Sequence, residues 1–175
     1  MRSAPITSIR ASFKQEHTVM DELIIIGIGN PFRGDDRAGW VAIERLAEQN
    51  EKLPLNKTRG DVGELVDKLG SHKKVIIIDA CRSEDPAGTW KKIDAIKDQM
   101  PSEAPVTSTH GATLSQVIEM AKNLDRMPEE LTIFAISGKD YDLDESLTND
   151  VDKAISAVIQ EILKDKDVQA CMNKA

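Results

Sequence analysis

Three uninterrupted apolar runs rich in β-branched residues limit what this chain can fold into: LIIIGI at 23–28, KVIIID at 74–79 and LTIFAIS at 131–137. A strand with one wet face alternates polar and apolar residues, whereas a run apolar at nearly every position is covered on both faces, as in a parallel sheet. Helical patterns lie between the runs. From Gly39 onward, Gly39, Ala42, Ile43 and Leu46 share one face while Glu44, Arg45 and Glu48 share the other. Residues 62–69 suit a short helix. Leu114, Val117, Ile118, Ala121 and Leu124 form an amphipathic stripe, and Thr113 with Gln116 supplies a capping box at its start. Leu147, Val151, Ala154, Ile155, Val158 and Ile162 mark a last helix, and TWKKIDAI from Thr89 adds a strand nearer an edge. This alternation predicts an α/β fold, a single-domain three-layer α/β/α sandwich with a mainly parallel sheet.

With 175 residues, 40% hydrophobic and 30% charged, the chain is long enough for one domain with a substantial core. Residues 1–19 read as a leader outside the fold, disordered or preceding a start at Met20. Residues 20–165 read as the domain and 166–175 as a tail. The leader carries Arg2, Arg10 and Lys14 against Glu16, so removing it takes the net charge from −7 to −9. Such acidity disfavours nucleic acid and anionic lipid as partners, and no segment has the length and apolarity of a membrane span. Cys81 and Cys171 have no CxxC spacing, which suggests neither a disulfide framework nor a zinc knuckle. A cytoplasmic monomer is expected.

The sandwich gives meaning to a pair of adjacent acids. In open parallel sheets, strand-to-helix loops emerge at the carboxyl edge, and functional groups collect there. Asp35 and Asp36 follow the first run, Asp79 ends the second, and His110 in TSTHGATL precedes a helix. Two carboxylates and one imidazole, with positions left open, suit nickel, zinc or another divalent ion. Each residue also has a plainer explanation: either aspartate of the pair could complement the helix dipole, Asp79 could bind loop amides, and His110 could cap a helix. His17 and His72 fall in the leader and on the surface. Gly27-Ile28-Gly29 begins like a dinucleotide fingerprint, but Phe32 stands where GxGxxG requires glycine. Asp140, Asp142 and Asp144 hint at a calcium loop, yet Glu145 occupies the glycine position and Val151 the final glutamate position, so a solvated acidic lead-in is expected.

The blocks IIIGIGNPFRGDDRAGWVAIERL, IIIDAC and STHGATL resemble the hydrogenase maturation endopeptidases over residues from about 20 to about 163. The resemblance implies metal-binding and catalytic roles for Asp36, Asp79 and His110. It also implies an aspartic-type endopeptidase that removes the C-terminal extension from the precursor of a nickel-containing hydrogenase large subunit, with nickel sensed in that precursor and zinc as another possible ion. The chain departs from the family at KTRGDVG, where many members have a longer Gly/Thr-rich loop, and at residues 137–140, where many carry Glu or Gln with Pro. Three rival readings stand beside this one. Cys81 with His110 could form a thiol hydrolase. GIGNP is similar to peptidyl-tRNA hydrolase, but RGDDRAG replaces the Thr-Arg-His-Asn segment and the acidity opposes tRNA. A chaperone could bind nickel or the precursor without cutting.

Overall fold

The computed structural model describes residues 21–98, 113–143 and 146–173. Its sheet contains β1 (Asp21–Ile28), β2 (Leu55–Thr58), β3 (His72–Arg82), β4 (Trp90–Asp94) and β5 (Glu130–Gly138), in the order β2-β1-β3-β5-β4. All neighbours are parallel except β4, which runs antiparallel to β5 at the edge. The helices are α1 (Ala38–Gln49), α2 (Val62–Ser71), α3 (Leu114–Asn123), α4 (Asn149–Ile162) and α5 (Lys166–Met172), and a 3-10 turn at Gly34–Arg37 leads into α1.

Strand alternation divides the core into two layers. Ile25, Ile76, Ile78, Phe134 and Ile136 face α1, α4 and α5, while Ile26, Val75, Ile77, Leu131 and Ile133 face α2 and α3. This is the expected three-layer sandwich. The Thr113–Gln116 capping box is also present, with Thr113 N donating to Gln116 Oε1 at 2.7 Å and Gln116 N donating to Thr113 Oγ1 at 3.3 Å.

Four local features differ from the sequence reading. His72, expected on the surface, is buried, with Nδ1 2.8 Å from Lys68 O. LNKT forms the short edge strand β2, held by register with β1 instead of by an apolar pattern. Leu147 packs against the core ahead of α4 instead of within it. Residues 166–172, expected as a tail, form α5 and bury Val168 and Cys171. The reason lies at Lys74, a charge inside the β3 apolar run. Its ammonium, only 9% exposed, meets Asp165 at 2.7 Å, Asp167 at 2.8 Å and Glu130 at 3.1 Å. Asp165 also caps α5 by accepting from the backbone N–H groups of Asp167 and Val168. At this amino edge, Glu22 and Leu23 line the same cleft as Ala170 and Cys171.

Burial alone would lower the Lys74 pKa, but the bonds to its three carboxylates outweigh it and raise the value. Burial would raise Asp165, yet Lys74 and the two amides pull it below its ordinary 3.8. A lowered carboxylate gives stability that is complete above its unfolded value and drains away as pH falls through the folded one. A raised lysine gives stability that is lost only as pH rises past its folded value. Lys74→Met is therefore expected to cost about 2 kcal/mol, a drop of roughly 4–8 °C in Tm. Melting curves should show that deficit constant from about pH 5 to about pH 9 and shrinking below about pH 4.

Candidate functional site

The first βα connection turns sharply and close to the sheet. A Cβ on Gly39 would lie 2.2 Å from Ile28 O and 2.5 Å from Ile78 O, so only glycine lets α1 rest directly on β1 and β3. Gly29 has φ +152°, and a Cβ there would lie 2.0 Å from Asp36 O. The Asn30 amide donates to that same oxygen at 3.2 Å, closing the turn that carries Asp36 over the strand ends. The chain leaves β1 toward β2 on one side, and β3 connects toward β5 on the other. The gap between β1 and β3 is thus the switch point of the sheet, where a crevice opens.

Here the adjacent aspartates separate in role. Asp35 is fully buried and its oxygens are occupied. Oδ1 accepts from Thr148 N at 2.8 Å and Thr148 Oγ1 at 2.9 Å, and Oδ2 accepts from Lys139 N at 2.8 Å and Asp140 N at 3.0 Å. It stitches the segment after β5 and the start of α4 to the 3-10 turn. Asp36, 6% exposed, lies close enough to act on Asp79 by charge.

Asp79 is 3% exposed, and its Oδ2 is buried without a hydrogen-bond partner among the described residues. Burial first, then the charge of Asp36, pushes its pKa well above the ordinary carboxylate value, against a smaller opposing effect from the Ala80 N–H. A pair of desolvated, mutually repelling carboxylates is a site that a cation would relieve. Alternation puts Asp79 on the sheet face of Val75 and Ile77, the face covered by α2 and α3. His110 lies outside the described residues, three positions before the α3 cap Thr113. Among the described residues, no three His, Cys, Asp or Glu side chains gather into a metal-binding group.

Cys81 shares a strand face with Asp79 but is poorly suited to nucleophilic attack. Its thiol is buried, and burial together with the Asp79 charge raises its pKa, outweighing a bond to Ser137. A thiol nucleophile requires the opposite shift, so the Cys81–His110 hydrolase loses its chemical support. Cys81 and Cys171 are both free and buried.

Sequence reasoning did not single out Arg82 or Tyr141. The Arg82 guanidinium stacks 4.1 Å from the Tyr141 ring centroid, beside a groove of about 470 Å³ that Ser83, Gly138 and Lys139 also line. Tyr141 titrates well above its ordinary value, through burial and then the charges of Cys81 and Asp36. Only pairing of β3 with β5, Cys81 opposite Ser137 and Arg82 opposite Gly138, brings these segments together. No local motif could have announced it.

Among the described residues, no helix is long and apolar enough to cross a membrane. The profile of the HycI hydrogenase maturation protease family matches residues 60–165. A Methanocaldococcus jannaschii protein named as a candidate hydrogenase maturation protease is 30% identical over 82% of this chain and 97% of its own length. The hydrogenase expression/formation protein HupD of Thiocapsa roseopersicina is 27% identical over 69% of this chain and 56% of its own. The hydrogenase maturating endopeptidase HybD of Escherichia coli superposes with TM-score 0.63 at 18% identity, over 82% of this chain and 90% of HybD. The [NiFe] hydrogenase maturation protease HycI of Thermococcus kodakarensis gives 0.61 at 24%, over the same shares. The solved structures establish a common fold, and the sequence matches go further: this chain belongs to the hydrogenase maturation proteases and is a peptide hydrolase of that family.

Proposed function

We propose that this protein removes the C-terminal extension from the precursor of a nickel-containing hydrogenase large subunit after nickel has been inserted. Asp36, Asp79 and His110 engage the nickel that the precursor presents. The observation that carries this reading is the buried Oδ2 of Asp79, without a hydrogen-bond partner among the described residues, beside the charge of Asp36. An empty precursor offers nothing to offset that repulsion, whereas one carrying a divalent cation does, so docking itself reports the state of the substrate.

We assign His110 to the set on its sequence position, three residues before Thr113, where α3 begins on the same sheet face as Asp79. The cation supplies charge that stabilises the oxyanion developing at the scissile carbonyl. The chain's own contribution is to hold Asp36 rigidly through the Gly29 turn, to hold Asp79 at the strand end, and to exclude water from both. Unpaired thiols at Cys81 and Cys171 accord with a cytoplasmic setting.

Nickel-loaded precursor is expected to lose its extension on incubation with the protein, read by mass spectrometry, while nickel-free precursor stays intact. Equal cleavage of both forms overturns the checkpoint. Binding of loaded precursor without any change in its mass would instead establish a non-cutting chaperone.

A further inference from the structure

Next to the acidic centre the surface changes sign. Arg82 stands three residues beyond Asp79 on β3, and Lys139 follows β5. Both side chains are exposed, and neither makes an ion pair among the described residues, although the whole chain carries −7. The acid in the same groove, Asp85, is already paired with Lys91 at 2.6 Å. What distinguishes these two cations is that they line one groove together.

Their geometry suits one kind of ligand. The Arg82 guanidinium carbon lies 4.1 Å from the Tyr141 ring centroid, a contact that restrains the side chain, and a guanidinium with free N–H groups can grip a carboxylate with two parallel hydrogen bonds. The backbone of Lys139 is fixed by the hydrogen bond its N–H donates to Oδ2 of Asp35, the residue that also ties the 3-10 turn bearing Asp36 to this segment. Groove and acidic pair are therefore built on one scaffold, at a set separation. Under the Tyr141 ring edge, the hydroxyl is buried close to Gly138 and has no hydrogen-bond partner among the described residues.

We propose that the Arg82–Lys139 groove binds a carboxylate of the precursor's C-terminal extension, either its terminal carboxylate or an acidic side chain, and so sets the position of the extension relative to Asp79. This rests on the function proposed above. The resulting site is bipolar: acids receive the cationic centre of the substrate and cations receive the anionic part of its tail. Opposed charges fix the direction in which the peptide lies, because the reversed orientation sets like charges together.

The test uses fluorescein-labelled peptides with the sequence of the extension from the large-subunit precursor of the same organism. They are prepared with a free C terminus, with a C-terminal amide, and with every Asp and Glu changed to Asn and Gln. Binding is measured by anisotropy to the full-length protein and to Arg82→Ala, Lys139→Ala and Arg82→Lys. Loss of the recognised carboxylate, or of Arg82, is expected to weaken Kd about tenfold, and the weaker arm identifies which carboxylate is read. Arg82→Lys should fall between, because it keeps charge but loses the fork. With loaded precursor, Arg82→Ala should raise KM and leave kcat nearly unchanged. Equal Kd for all three peptides, wild-type affinity in Arg82→Ala, or a fall in kcat at constant KM overturns the assignment. Peptide binding requires no cleavage, so discrimination among peptides without cutting of precursor refutes only the peptidase reading. Cutting without discrimination refutes only the groove.

Discussion

Asp79→Asn is expected to melt higher than the wild type and to lose the cleavage of precursor proposed above. The carboxylate is desolvated, faces the charge of Asp36 and has no partner for Oδ2 among the described residues, so in the substrate-free protein it is expected to cost stability instead of adding it. Replacing it with a neutral group of the same shape removes that cost, expected to be about 2 kcal/mol, or roughly 4–8 °C in Tm. The pH dependence carries the sign. A carboxyl whose folded pKa lies above its ordinary 3.8 favours folding while protonated, and that advantage is lost as pH rises through the folded value. The gap between variant and wild type should therefore be absent near pH 3 and widen as pH rises above the ordinary carboxylate value. Cleavage of nickel-loaded precursor should fall by about a thousandfold or more. A variant that melts at or below the wild type at pH 8 would show that the buried carboxylate is not strained.

Asp35→Ala has the reverse signature. Deleting Asp35 leaves the amides of Lys139, Asp140 and Thr148, with the Thr148 hydroxyl, pointing at an empty space. Stranded donors facing a lost charge lead to an expected cost of about 3 kcal/mol, roughly 6–12 °C in Tm. Limited proteolysis should find new cleavage between β5 and α4, the segment that Asp35 ties down. Residual activity measured well below the lowered Tm should remain far above that of Asp79→Asn. Asp35 and Asp79 would then be separated experimentally, the first by lost stability and the second by lost turnover. If Asp35→Ala melts like the wild type, the network is not what holds that segment.

This division of labour was the least legible part of the sequence. The three apolar runs specify buried strands because every position avoids water, and the period of α1, α3 and α4 follows from which side chains reach the core. Those signals are local. Asp35 and Asp36 are chemically identical and adjacent, and what separates them is Thr148, 113 positions away, which no local pattern encodes. β2 was hidden for a related reason: LNKT has no apolar face and is a strand only through its pairing with β1. α5 was hidden because its two buried residues, Val168 and Cys171, sit among charged neighbours whose partner is Lys74, 91 and 93 positions earlier. Convergence of Asp36 with Asp79 was foreseeable because topology alone sends both to the carboxyl edge of the sheet.

The cleft at the amino edge has a practical consequence. Strand β1 enters the fold and α5 closes it on the rim opposite Asp79, with Glu22 and Leu23 across from Ala170 and Cys171. β1 and α5 sit close enough for a short linker to join them, which makes residues 21–173 a candidate for circular permutation with new ends opened in a distant surface turn. New ends placed away from the carboxyl edge would leave the segments bearing Asp36 and Asp79 unbroken.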